Sequence, residues 1–240
     1  MSIAANIKRI EDRIQAACRR SGRKRDEVNV MGVTKLQPLC AVDEAWKAGL
    51  WLFGESRVQE AAAKFTGKND MYPGMELHMI GSLQRNKVKT AVSLFSCIQS
   101  LDRESLAVEL AKCLESCQAQ NPAGKNKQMS VLLELRTGED SKSGFDCLDA
   151  LFRVTEYVLG CPFLNIRGLM TIAPNTNDEK LLRRAFRRMV AAKDEMEKRY
   201  PLENAWSCLS MGMTGDFEVA VEEGSTLLRI GSAIFGGMIE

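Results

Sequence analysis

The feature that most constrains this chain is an alternation, kept from end to end, between short β-rich runs and longer segments with apolar residues at helical spacing. Residues 2–20 carry Ile3, Ile7, Ile10, Ile14 and Ala17 between polar positions, an amphipathic helix that stops near Ser21 and Gly22. Val28 to Thr34 is a short Val-rich run bounded by Lys35 and Pro38, the pattern of a buried strand entering a loop. The unit then recurs. Helices are expected near 39–48, 56–65, 84–92, 102–119, 146–159, 178–199 and 215–223. Strands are expected at Leu50–Gly54, Leu77–Gly81, Leu94–Gln99, Ser130–Leu135, Ile166–Ile172, Ala205–Leu209 and Thr226–Ile230. Strict alternation implies a parallel sheet with right-handed crossovers. Eight such units in 240 residues fit a closed (β/α)₈ barrel of TIM type, formed by residues 1–240 as a single domain with an extra N-terminal helix. The competing architecture, a doubly wound open sheet, lacks the GxGxxG turn that would follow its first strand.

Composition removes several function classes. With 33 Lys plus Arg against 31 Asp plus Glu, the net charge of +2 argues against a nucleic-acid binder. The basic clusters at Arg19 to Arg25 and Arg183 to Arg188 read as solvated helix faces. No apolar run of about 18 residues exists to span a membrane, and the N-terminus mixes charged with apolar residues where a signal peptide needs a solid apolar stretch, so a cytoplasmic protein is expected. The eight cysteines form no compact framework and no CxxC pair, and are expected to be reduced thiols. Cys113 and Cys117 have a spacing that suits a metal, but His78 is the only histidine and no second Cys pair accompanies them, so no metal is expected.

In a barrel of this kind the active face is built from the C-terminal strand ends and the loops after them. Lys35, Gly54 to Arg57, His78, Gly81 to Lys87, Ser141 to Gly144, Met170 to Pro174, Ser210 to Gly215 and Arg229 to Ser232 are all expected at that mouth. A lysine closing a buried strand is either desolvated, and then a nucleophile able to join a carbonyl, or lies just beyond the strand with its ammonium in water. The segments Leu209 to Asp216 and Arg229 to Gly236 supply hydroxyls and glycines after the last two strands, where barrels commonly bind phosphate.

Together with these loops, Val33-Thr-Lys35, Phe53 to Glu60, His78 to Lys87, Ser141 to Gly144, Arg167 to Met170, Leu209 to Met213 and Arg229 to Gly236 strongly resemble the pyridoxal-phosphate homeostasis proteins, a family with the barrel of the alanine racemase N-terminal domain. The resemblance implies pyridoxal 5′-phosphate carried as an aldimine on Lys35, a phosphate held by Ser210, Gly231 and Ser232, and Arg229 facing the pyridine nitrogen. An Arg there leaves that nitrogen unprotonated and the ring a poorer electron sink. It further implies His78 and Met170 as neighbours of the ring, with Met211 and Gly212 shaping the phosphate cup. The sequence departs from the family at Ser56, where Asn is usual and a cofactor contact is in question, and at Leu77, where an aromatic residue is usual.

What the resemblance implies is a carrier of vitamin B6 that limits free aldehyde and passes the cofactor transiently to apoenzymes. An amino-acid racemase is the alternative. Racemases of this fold add a second domain and a partner's tyrosine, whereas this chain ends at Glu240 and its three tyrosines, Tyr72, Tyr157 and Tyr200, lie off the motif loops. A monomer without efficient catalysis is therefore expected. Lys142, flanked by Ser141, Ser143 and Gly144, is either a second transient cofactor contact or a solvated loop lysine.

Overall fold

Eight parallel strands run in sequence order around a closed barrel: β1 (Asn29–Val33), β2 (Leu52–Glu55), β3 (Glu76–Met79), β4 (Cys97–Leu101), β5 (Met129–Glu134), β6 (Leu164–Met170), β7 (Cys208–Ser210) and β8 (Leu227–Ile230). Closure is made by β1 against β8, with Met31 opposite Arg229 and Gly32 opposite Ile230, which excludes the open sheet. This is a computed structural model, and it describes residues 2–68, 71–120, 128–138, 143–203 and 205–236.

Helices α1 (Ile3–Ser21), α2 (Leu39–Lys47), α3 (Val58–Phe65), α4 (Val88–Leu94), α5 (Glu104–Gln120), α6 (Leu148–Leu159), α7 (Glu179–Arg199) and α8 (Phe217–Glu222) cover the strands, and α9 (Ser232–Phe235) follows β8. The strands read as apolar runs because both faces are buried. Their outward side chains, such as Phe53, Val131, Leu133 and Leu228, share one core with the helices. Their inward side chains fill the barrel: Met31, Leu52 and Leu227 form one cluster and Cys97, Leu132 and Met170 another.

Several element bounds differ from the sequence expectation for local reasons. The helix expected at 84–92 opens as a 3₁₀ turn at Arg85–Lys87 and continues as α4 to Leu94, so β4 begins only at Cys97. Trp206 is buried with its indole N–H donating to the Tyr200 carbonyl at 2.9 Å, which leaves β7 three residues long. The short α9 was not expected. No described helix is long and apolar enough to cross a membrane.

Candidate functional site

Strand β1 ends at Val33, Thr34 is fully buried, and Lys35 follows in an exposed turn. Of the two placements open to this lysine the structure shows the second, since the chain turns before Lys35 and leaves it exposed. The turn is firmly held. Leu36 adopts φ 61°, a left-handed conformation that a branched residue takes only when its surroundings enforce it. Its amide N–H donates to Glu60 on α3. Beneath it, Lys64 donates to the Thr34 carbonyl and to Glu55 Oε1, both at 2.7 Å, and the Thr34 hydroxyl donates to the same carboxylate at 2.7 Å. Glu55 is fully buried, and burial holds its carboxyl above the ordinary range despite the Lys64 ammonium. The motif after β2 thus serves as a clamp on the loop that presents Lys35.

The loops after β7 and β8 meet at the same end of the barrel. The Ala233 N–H donates to the Thr214 hydroxyl at 3.4 Å, tying one loop to the other. Gly212 has φ 97°, and a β-carbon there would stand 2.6 Å from Ala220 Cβ and 2.9 Å from Leu228 Cδ2, so only glycine lets this loop fold onto α8 and β8. Met213 donates its N–H to Asp216 at 2.5 Å. Gly231 lies against Val33, its β-carbon position 3.5 Å from the Val33 carbonyl oxygen, which brings the start of α9 beside the turn that carries Lys35. In α9 the first helical bonds run from Ile234 and Phe235 to the Gly231 carbonyl, so the N–H groups of Gly231 and Ser232 precede the ladder.

Below the mouth the barrel interior is polar. Arg229 Nη1 donates to the Ser210 carbonyl and hydroxyl oxygens, both at 2.7 Å, and Nη2 to the Thr171 carbonyl at 2.6 Å. Burial pulls its pKa down to about 10, with Asp216 and Glu134 opposing, so it stays charged at neutral pH. Burial in turn raises the carboxyls of Glu134, which accepts from Ser143 at 2.6 Å, and of Asp216. The Ser210 hydroxyl donates to Gln99 Oε1 at 2.6 Å, Gln99 Nε2 lies 2.9 Å from His78 Nδ1, and His78 Nε2 lies 3.2 Å from Glu76. Because Gln99 Oε1 accepts from Ser210, its amide nitrogen donates to His78, and the imidazole proton sits on Nε2 toward Glu76. A continuous hydrogen-bonded line therefore crosses the barrel from Arg229 to Glu76.

The structure brings together Lys35, Gly212, Gly231 and Ser232 at the mouth, with Arg229, Ser210 and Met170 in the layer below it. Two of the expected residues sit away from the loop rim. Ser210 is fully buried with its hydroxyl committed to Arg229 and Gln99, so the hydroxyl that reaches the loop rim after β7 is that of Thr214. His78, an inward side chain of β3, lines a cavity at the opposite, N-terminal end of the barrel. Ser56 takes part through its backbone: the β-carbon position of Gly81 lies 2.3 Å from the Ser56 carbonyl oxygen, so the loops after β2 and β3 pack directly. Ser141 and Lys142 lie outside the described residues. Gln99 and Lys64 were not singled out from sequence, while Glu55, Thr171 and Thr214 fell within segments expected at the mouth but were given no role of their own. Strand alternation could have found Gln99, which stands two residues after the inward Cys97 on the same strand.

Comparison with known proteins agrees with this geometry. Residues 5–238 match the model of the family described as alanine racemase, N-terminal domain. A pyridoxal phosphate homeostasis protein of Aquifex aeolicus is 38% identical over 237 residues, covering 98% of both chains. The solved structure of PipY from Synechococcus elongatus, with pyridoxal phosphate bound, superposes with a TM-score of 0.81 at 29% identity, covering 98% of this chain and 100% of that one. An alanine racemase from Bacillus anthracis shares the fold alone, with a TM-score of 0.67 at 13% identity over 96% of this chain and 56% of its own. A match spanning nearly the whole barrel, with near-complete mutual coverage of the relative, has one reading: the chain belongs to the pyridoxal phosphate homeostasis protein family, built on the alanine racemase N-terminal domain.

Proposed function

We propose that this protein binds pyridoxal 5′-phosphate at the C-terminal mouth of the barrel and maintains vitamin B6 homeostasis as a carrier. The observation that carries the reading is the meeting of three strand ends: the exposed Lys35 amine after β1 stands beside the joined loops after β7 and β8. That donor set fits the ligand. A primary amine suits an aldehyde, while the N–H groups of Gly231 and Ser232 with the Thr214 hydroxyl suit a phosphate. Lys35 would hold the cofactor, Gly212 would shape the cup, Ser210 would keep Arg229 in place as its basic partner, and Met170 would line the layer below. When bound, the cofactor supplies an electrophilic carbonyl and an electron-withdrawing ring; a charged Arg229 in place of a carboxylate keeps that withdrawal weak.

The relatives' name and the ligand of PipY support the same reading. Carriage without efficient catalysis is supported by the tyrosines. Tyr72 is buried, donates to Asp43 and is pushed up to about 12 by burial, while Tyr157 and Tyr200 belong to α6 and the end of α7. None lies on the loops after β1, β7 or β8. We take the carrier to work as a cytoplasmic monomer that hands the cofactor to apoenzymes. The test is the visible spectrum of the protein, with and without borohydride, beside Lys35→Ala, with peptide mapping of the reduced adduct. The expected result is an absorption band fixed on Lys35 and absent from the variant, together with no interconversion of L- and D-amino acids near the usual enzyme range of about 1–10³ s⁻¹. A protein that takes up no pyridoxal phosphate overturns the proposal.

A further inference from the structure

A cavity of about 770 Å³ opens at the N-terminal end of the barrel, opposite the mouth that carries Lys35. Barrels usually reserve that end for stability, yet this one is lined by groups that a purely structural plug would not need. The first lies on β6. Strand β5 pairs Val131 with Ile166 but Leu132 with Gly168, so Arg167 is an extra residue in a β-bulge. Bulges re-aim a side chain at the cost of a ladder bond and concentrate near functional sites. Gly168 makes this one possible, since its φ is 147° and a β-carbon would lie 1.9 Å from the Cys208 carbonyl oxygen. The bulge sends Arg167 into the cavity wall, where it remains exposed and forms no ion pair among the described residues.

Glu76 at the start of β3 lines the same cavity, its side chain half-exposed at 51%. The hydrogen bond from His78, with Arg167 adding its charge from a distance, holds the Glu76 carboxyl below its ordinary range. Strands β3 and β6 are separated by β4 and β5 on one side of the ring, so an acid and a base face each other across the opening without closing on one another. By contrast Arg23, also in the wall, is spent on Glu27 and on the carbonyls of Val221 and Ser225. Between Arg167 and Glu76 the floor is apolar, made by Cys97, Leu132, Cys208 and Leu227, and Trp51 stands 45% exposed at the rim.

We propose that this cavity is a second ligand site that takes a free α-amino acid as its zwitterion, the carboxylate on Arg167, the ammonium on Glu76 and the apolar side chain on the floor. A guanidinium recognises a carboxylate by paired, charge-assisted bonds, and an unbridged acid and base satisfy a dipolar ligand better than an ion of either sign. An occupant here touches His78, the end of the hydrogen-bonded line that reaches Ser210 and Arg229.

The test is calorimetric titration of the cofactor-free protein with L-leucine, 4-methylpentanoate and 3-methylbutylamine. L-leucine is expected to bind one site, with each singly charged analogue weaker by about tenfold or more. Arg167→Ala and Glu76→Gln are each expected to weaken L-leucine by a similar factor, while Arg167→Ala keeps the wild-type urea midpoint and still loads pyridoxal phosphate. Absence of L-leucine binding at millimolar concentration, equal binding of the analogues, or an affinity that survives both substitutions overturns the proposal. Because the titration uses no cofactor, its failure leaves the carrier reading untouched.

Discussion

Glu55 shows how a single carboxylate can serve a site without touching a ligand. It is fully buried, one oxygen takes Lys64 and Thr34, and the other, Oε2, has no partner. Burial raises its pKa in spite of the ion pair, so the ionised form costs stability at neutral pH. That cost is complete above the folded pKa and disappears as the pH falls toward the ordinary carboxylate value of about 4.3. Removing the ammonium enlarges it. Lys64→Met is therefore expected to lower stability by about 3–5 kcal/mol at neutral pH, by distinctly less near pH 5, and Glu55→Leu in the same chain is expected to restore much of the loss; urea unfolding at both pH values measures this. At the other end of the polar layer, Ser210→Ala leaves Gln99 Oε1 and one Arg229 N–H without their partner in a buried site, a loss of about 1–3 kcal/mol. Equal urea midpoints for Ser210→Ala and wild type would mean the hydroxyl is not part of a working network.

Among the elements, α1 is outside the eight-unit repeat yet supports the mouth. Ser2 caps its start, accepting the Ala5 N–H at 3.3 Å, and Gly22 ends it at φ 69°, its N–H bonding the Arg19 carbonyl. Ile10, Ile14 and Ala17 are buried against the barrel's outer layer, and Arg13 and Arg20 reach Glu218 and Glu222 of α8 at 2.8 and 2.6 Å. Buried Asn6 donates to the Ile234 carbonyl at 2.9 Å, fixing α9 and with it the Gly231-Ser232 segment. Packing should outweigh charge here. Ile14→Ala is expected to cost about 2–5 kcal/mol, whereas Arg20→Ala, half-exposed, should cost at most about 1 kcal/mol; the ratio of the two urea shifts decides. The periodicity of this helix and the eight strand-helix units were legible in the sequence because each rests on local spacing. Strand ends were less so: whether Trp206 extends β7 or caps the outer layer depends on Tyr200, which only the folded chain brings near. The same limit applied to the site. Lys35, Arg229 and the glycine loops are marked by residue type, but the inward turn of Ser210 and the placement of His78 at the far end follow from strand register, where one residue decides which face a side chain takes.

For the whole molecule, the carboxylates fall into two sets whose positions differ. Glu11, Glu222 and Glu223 on the outer helices are held below the ordinary range by Arg25, Arg183, Arg20 and Arg187, and Glu76 by His78. Glu55, Glu134 and Asp216, against the barrel wall and in its mouth, are raised by burial. The signs oppose. A lowered carboxyl contributes stability that is present above its unfolded pKa of about 4 and is lost as the pH falls through its folded value. A raised carboxyl binds its proton earlier in the folded chain than in the unfolded one, so the folded state gains as the pH falls through the folded value toward about 4. Acidification from neutrality thus meets the raised set first and the lowered set afterwards. Below that, protonating the 31 acids leaves 33 Lys and Arg charges to repel one another. The urea midpoint is expected to rise as the pH falls from neutrality toward the ordinary carboxylate range and then to fall steeply below about pH 4. Glu134→Gln and Asp216→Asn together should flatten the rise and leave the acid limb in place, because that limb belongs to the lowered set. A midpoint that declines from neutrality onward, with no rise before the acid limb, would show that the interior carboxyls are not raised in the folded chain.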